Sequence, residues 1–184
     1  MTDLPDHTLL RAELRDLAAQ LADEPQRWRH AVHHDPEQRI FAEVARNEHV
    51  SAWLICWMPG QDTGFHDHDL SSGAVTVISG SVREDRLSLG DDDGGRVFTA
   101  GPTFDFCPSD IHRVTHHGAE PTVTLHVYSP PLARMGAYVV EPSGALQRHP
   151  VGEESLLQGI ERRLAHRAPP GEFLDVEEIR QIGR

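Results

Sequence analysis

Gly60-Gln61-Asp62-Thr63-Gly64-Phe65-His66-Asp67-His68 decides the reading of this chain. It places two histidines two residues apart after a turn marked by two glycines. In an extended strand, residues i and i+2 project from the same face, so His66 and His68 offer two imidazoles to one point. A third histidine, His112, stands in Pro108-Ser109-Asp110-Ile111-His112-Arg113-Val114. Three imidazoles drawn from two strands make a facial set and leave coordination positions open. An open site suits catalysis, whereas a structural metal site is normally closed by four protein ligands.

Strand signals surround this stretch. A strand-like pattern sets in near residue 39. Residues 50–57 are rich in β-formers and stop at Pro59-Gly60. Residues 74–78 lead into Ser79-Gly80, and residues 81–87 alternate after it, which predicts a hairpin. Residues 122–128 alternate strictly until Pro130-Pro131. Short strands broken by Gly and Pro turns predict a sandwich or small barrel. Residues 8–22 read as a helix, with Leu10, Leu14, Leu17 and Leu21 at helical spacing and Asp23-Glu24-Pro25 as its stop. Residues 153–166 read as a second helix through Leu156, Leu157, Ile160 and Leu164. Residues 171–184 form a short last helix or a tail, and Asp91-Asp92-Asp93-Gly94-Gly95 a solvated turn.

The chain has 184 residues, 38% of them hydrophobic, enough for one domain with extensions. Its formal charge of -12 argues against general nucleic-acid binding, which needs a basic surface. No stretch has the length of a membrane helix, and the N-terminus lacks the basic and apolar regions of a secretion signal. The expectation is a cytoplasmic protein with neither a membrane nor a nucleic-acid partner. Two cysteines without a CxxC pattern argue against a disulfide framework and a thiolate zinc site. Cys56, in an apolar run, reads as a small buried hydrophobe. Among thirteen histidines, His30, His33, His34, His116, His117, His149 and His166 show no ligand pattern and read as surface or packing residues.

Gly60, His66, His68, Gly73 and Gly80 together resemble the first motif of the cupin superfamily, in which a glutamate often takes the place of Gly73. Gly101, Pro108, Asp110 and His112 resemble the second. The resemblance implies an all-β fold, a cupin jelly-roll barrel with flanking N- and C-terminal helices. The expected division is 1–36 as an N-terminal helical segment packed on the barrel, 37–145 as the core and 146–184 as a C-terminal helical extension. Residues 57–68, 79–84, 111–114 and Val123-Thr124-Leu125-His126-Val127-Tyr128-Ser129-Pro130-Pro131 narrow this further. Over about residues 37 to 140 the chain resembles the cysteine dioxygenase family of thiol dioxygenases.

That resemblance implies a ferrous ion, Fe(II), held by His66, His68 and His112. It implies a relay on Thr124, His126 and Tyr128, with threonine in place of the family's serine. Independently, these three alternate on one strand and share a face, so hydroxyl, imidazole and phenol can chain by hydrogen bonds. A buried strand with satisfied polar groups is the structural alternative. Mammalian members carry a cysteine at the place of Gly73 that crosslinks to the relay tyrosine, so no thioether is expected on Tyr128. The family arginine that takes a substrate carboxylate has its nearest match in Arg39, reached with a one-residue gap and without the neighbouring tyrosine. A surface charge is the alternative for Arg39.

The expected activity is oxidation of a small thiol by dioxygen to its sulfinate, with cysteine the first choice and 3-mercaptopropionate or another thiol the alternative. Two rivals stand beside it. One is a cupin isomerase, hydrolase or lyase using zinc, manganese or nickel, since imidazoles alone do not select iron. The other is a non-catalytic metal-binding cupin that senses a small molecule. Neither the thiol nor the oligomeric state is legible in the chain.

Overall fold

A computed structural model of the chain describes residues 1–87, 95–141 and 145–152. Two helices come first, α1 (Arg11–Ala22) and the single-turn α2 (Pro25–Trp28). Eleven strands follow among the described residues: β1 (Ile40–Arg46), β2 (Ser51–Trp57), β3 (His66–Asp67), β4 (Ser72–Ser79), β5 (Ser81–Arg86), β6 (Arg96–Thr99), β7 (Thr103–Phe106), β8 (His112–His116), β9 (Thr122–Ser129), β10 (Arg134–Val140) and β11 (Leu146–Gly152). They form a five-stranded sheet in the order β1-β2-β9-β4-β7 and a six-stranded sheet in the order β11-β10-β3-β8-β5-β6. Every named pairing is antiparallel.

The two-residue period of the strands builds two cores. On β2, Trp53, Ile55 and Trp57 belong to one core, while Ala52, Leu54 and Cys56 belong to the other. The first core lies between the sheets and joins Trp53, Trp57, Val75 and Phe106 to Val82, Val114, Met135 and Ala137. The second lies outside the five-stranded sheet, where Leu14, Leu17, Ala18 and Leu21 of α1 cover Leu54, Ala74, Val123, Leu125 and Val127. Helix α1 is also clamped by charge. Buried Asp105 on β7 accepts from Arg11 Nε at 2.7 Å and from Arg15 Nη1 at 2.9 Å.

Three expectations need revision. Ser79-Gly80 does not close a hairpin. Strand β4 pairs with β7 and β9, while β5 pairs with β6 and β8. The turn therefore carries the chain from one sheet to the other. Gly80 takes φ +74 there, and a Cβ on it would collide with Thr122, whose hydroxyl accepts from the Ser81 amide at 3.0 Å. A side chain at 80 would break this corner.

The first helix starts at Arg11 rather than residue 8. Leu10 stands before it with extended backbone, donates its amide to Glu13 Oε2 at 2.7 Å, and points its side chain to solvent. Leu9 is buried instead, its amide bonded to Ser129 Oγ at 2.9 Å. The segment expected as a helical extension from 146 opens with β11, paired along β10. The helix expected over 153–166, the stretch 171–184 and the turn at 91–94 lie outside the described residues. Among the described residues no helix is long and apolar enough to cross a membrane.

Leu14 is fully buried between α1 and the sheet. Leu14→Ala is expected to lower unfolding free energy by about 2–5 kcal/mol, the usual range for emptying such a site. Denaturant titration of the two proteins measures it, and a loss under about 1 kcal/mol would mean that α1 is not docked as described.

Candidate metal centre

His66 and His112 face each other across the β3–β8 ladder. Opposed residues in an antiparallel pair share a face, and His68 rejoins that face two residues on. All three rings are buried, and one ring nitrogen from each lies within 4.8 Å of the others. Among the described residues this is the one such grouping of potential ligands. The three histidines singled out in the sequence are thus brought to one point.

The rings are held from behind. Nδ1 of His66 lies 3.0 Å from the Gly64 carbonyl oxygen, and Nδ1 of His112 lies 2.8 Å from Glu84 Oε1. Each has Nε2 left for the cluster. His68 stacks on Phe106 with centroids 4.1 Å apart and has no partner at its buried Nδ1. Burial, then repulsion between neighbouring imidazoles, pushes the pKa values of His66 and His68 well below the ordinary histidine value. Both are neutral at pH 7 with lone pairs available. Neutral imidazoles suit divalent iron, zinc, copper or nickel, so this buried donor set fits a first-row transition metal.

Asp67, between the two motif histidines, turns the other way. Its carboxylate accepts from Arg148 Nε at 2.6 Å, Arg148 Nη2 at 2.8 Å, the Tyr138 hydroxyl at 2.7 Å and the Gly136 amide at 3.1 Å. Burial alone would raise its pKa, but the guanidinium and phenol hold it below the usual carboxylate range. Strand β3 is two residues long, and Asp67 ties it to β10 and β11.

The fourth position of the cupin motif is closed by packing. Gly73 pairs with Phe106 on one side and Tyr128 on the other. A Cβ at 73 would collide with the Phe106 ring, which lies against both His68 and His112.

Thr124, His126 and Tyr128 lie along the inner face of β9. Thr124 Oγ1 is 2.8 Å from His126 Nε2, and His126 Nδ1 is 3.3 Å from the Tyr128 hydroxyl. Trp57 Nε1 donates to Thr124 Oγ1 at 2.8 Å. An indole can only donate, so Thr124 Oγ1 accepts there, and its own proton has two acceptors in reach, His126 Nε2 at 2.8 Å and the Ile55 carbonyl at 3.5 Å. Along the shorter contact Thr124 donates to His126 Nε2, His126 donates from Nδ1 to the Tyr128 oxygen, and the phenolic proton is left for the cavity. Burial pushes the Tyr128 pKa upward against the pull of Arg39, so Tyr128 is a phenol and a donor at neutral pH.

The three histidines share one cavity with Arg39, Thr63, His126 and Tyr128. Phe41, Trp53, Ile55, Val114, Leu132 and Met135 form its apolar wall. Arg39, half-buried just before β1, places its guanidinium 5.1 Å from the centre of the Trp57 ring. The sequence had left a surface position open for it; it lines the cavity. Sequence reasoning missed Asp67 and the gap-filling Phe106 as parts of the site. Glu84 ends the 79–84 stretch, whose pattern assigns it no role. The signal for Glu84 was a glutamate at an inward position of an alternating strand.

Barrel and buried histidine cluster together define a cupin. The chain belongs to the cysteine dioxygenase type I family, which matches residues 7–140, and so to the cupin-type thiol dioxygenases. Among solved structures, TT1209 from Thermus thermophilus is 20% identical, with 56% of this chain and 93% of that chain covered at a TM-score of 0.50. It shows the fold. A double-stranded β-helix protein from Klebsiella pneumoniae subsp. pneumoniae is 23% identical, with 59% and 81% covered and a TM-score of 0.48. An RmlC-like cupin from Desulfovibrio desulfuricans is 21% identical, with 55% and 91% covered and a TM-score of 0.45.

Burial of neutral histidines has a consequence for acid stability. The pKa of His126 is pushed down to about 3, first by burial and then by repulsion from His112 and Arg39. An unfolded histidine protonates near about 6.5, so below that pH the unfolded chain takes up protons that the fold excludes. The stabilisation is complete above the unfolded value and is lost as pH falls toward the folded one. The unfolding free energy of metal-free protein, and with it the urea midpoint, is expected to fall steadily from about pH 7 to about pH 4, the free energy by up to about 1.4 kcal/mol per pH unit for each such histidine. A midpoint unchanged across the upper half of that range would contradict neutral burial.

Proposed function

We propose that this protein is a mononuclear non-haem Fe(II) thiol dioxygenase that converts a small carboxylate-bearing thiol, cysteine first, to its sulfinate. The observation that carries the reading is the meeting of three buried histidines, a guanidinium and a phenol in one apolar-walled cavity. Membership of the cysteine dioxygenase type I family supports it.

His66, His68 and His112 would hold the iron. The chemistry that Fe(II) supplies when bound is activation of dioxygen beside a coordinated thiolate, with both oxygen atoms ending on sulfur. The chain's own residues do the rest. Arg39 binds the substrate carboxylate, for which its planar fork offers two parallel hydrogen bonds. Tyr128, its oxygen held by His126 and its proton free for the cavity, donates to that carboxylate or to dioxygen. Thr124 and Trp57 fix the tautomer of His126. The wall of Phe41, Trp53, Ile55, Leu132 and Met135 limits water and strengthens each polar contact within it.

The test is oxygen uptake by anaerobically iron-loaded protein against cysteine, 3-mercaptopropionate and cysteamine, with mass detection of products. Uptake that depends on thiol, with a gain of two oxygen atoms, is expected. Iron-loaded protein that consumes no oxygen with any thiol would sink the reading and favour a non-catalytic metal-binding cupin.

Arg39→Met tests the carboxylate contact. Losing a charge-assisted pair is expected to raise KM for cysteine and 3-mercaptopropionate about 10–100-fold. Cysteamine, which has no carboxylate, should be unaffected. Equal effects on all three thiols would remove Arg39 from substrate binding.

A further inference from the structure

The three histidines of the cluster are backed unequally. His66 meets a backbone carbonyl, His68 has no partner at Nδ1, and His112 meets the carboxylate of Glu84. Only His112 faces a formal negative charge.

Glu84 is 1% exposed, on β5 beside β8. A carboxylate at such depth is costly unless paired, and here two guanidiniums pair it. Arg86 Nη2 donates to Oε1 at 2.9 Å and Arg96 Nη2 to Oε2 at 2.9 Å. Arg86 is itself held by Asp110 Oδ2 at 3.0 Å. Arg96 is half exposed on β6, the outermost strand of its sheet. A charged chain therefore runs from the barrel edge through Glu84 to His112.

Among the described residues, the Gly73 position gives the cluster no such charge. Gly73 stands where the cupin motif often has a glutamate, and Phe106 fills the space a side chain there would need. Hydrophobic packing would have served at position 84 equally well had the fold only needed a filled interior.

We propose that Glu84 is a positioning residue that returns to the site, through His112, the negative charge that a glutamate ligand at position 73 would have given it directly. This rests on the reading of the three histidines as metal ligands. A carboxylate on Nδ1 fixes the proton there, turns the Nε2 lone pair to the cluster and makes the ring a stronger donor. Arg96 tempers that charge from outside. Removing Glu84 and removing Arg96 must therefore push the metal in opposite directions.

The experiment uses Glu84→Gln and Arg96→Met in the full chain, with Fe(II) affinity by chelator competition and the Fe(III)/Fe(II) potential of the bound metal as readouts. Glu84→Gln is expected to weaken Fe(II) binding about 10–100-fold, the usual effect of losing a partner behind a ligating histidine, and to raise the potential. Arg96→Met is expected to lower the potential. If Glu84→Gln does not fold, the lower potential of Arg96→Met carries the inference alone. Potentials that shift the same way in both variants, or in neither, would overturn it and leave Glu84 a packing residue. Wild-type protein that binds no Fe(II) would overturn the metal reading itself, and this inference with it.

Discussion

Strand β9 is bonded to β2 along one edge and β4 along the other, and its register constrains everything around it. Its inner residues are Thr124, His126 and Tyr128. Its outer residues are Val123, Leu125 and Val127, sealed beneath α1. A slip of one residue would exchange the two sets, driving imidazole and phenol under the helix and valines into the cavity. The same strand thus specifies where the helix docks and where the polar chain runs. The neighbours comply: Trp53 and Val75 flank His126, and Ile55 and Val77 flank Thr124.

A buried cluster of imidazoles needs polar support, since a buried polar group without a partner is destabilising. Most of that support comes from residues other than the histidines themselves. Asp67 anchors the short strand β3 to the last two strands, and Glu84 anchors His112 to the barrel edge. Both carboxylates are themselves held by guanidiniums, Arg148 for one and Arg86 with Arg96 for the other. The proposed metal centre therefore sits inside a polar frame that reaches the surface at two places.

How much of this was legible follows from the range of the forces involved. His66 and His68 were legible because a period of two is local. His112 stood out by its likeness to the second cupin motif, and Thr124, His126 and Tyr128 by strict alternation beside the family likeness of their flanks. The hairpin at Gly80 was misread because a turn signal reports a change of direction and not which sheet receives the chain. Leu10 was misassigned because a helix start is set by one backbone angle, which the leucine spacing does not report. Phe106 could not be found, because its role depends on the emptiness of Gly73, a strand away. Arg39 remained open in the sequence because a guanidinium near a strand start reads alike whether it faces inward or outward.

The pairing of Gly73 with Phe106 has a further consequence for how this barrel can change over generations. The two positions are adjacent across the ladder but distant in the chain. A larger residue at 73 meets the aromatic ring, while a smaller residue at 106 uncovers His68 and leaves a hole beside His112. The volume at one position is thus set by the volume at the other. A side chain at 73 therefore calls for a matched change at 106, which ties the three-histidine set to the aromatic ring beside it.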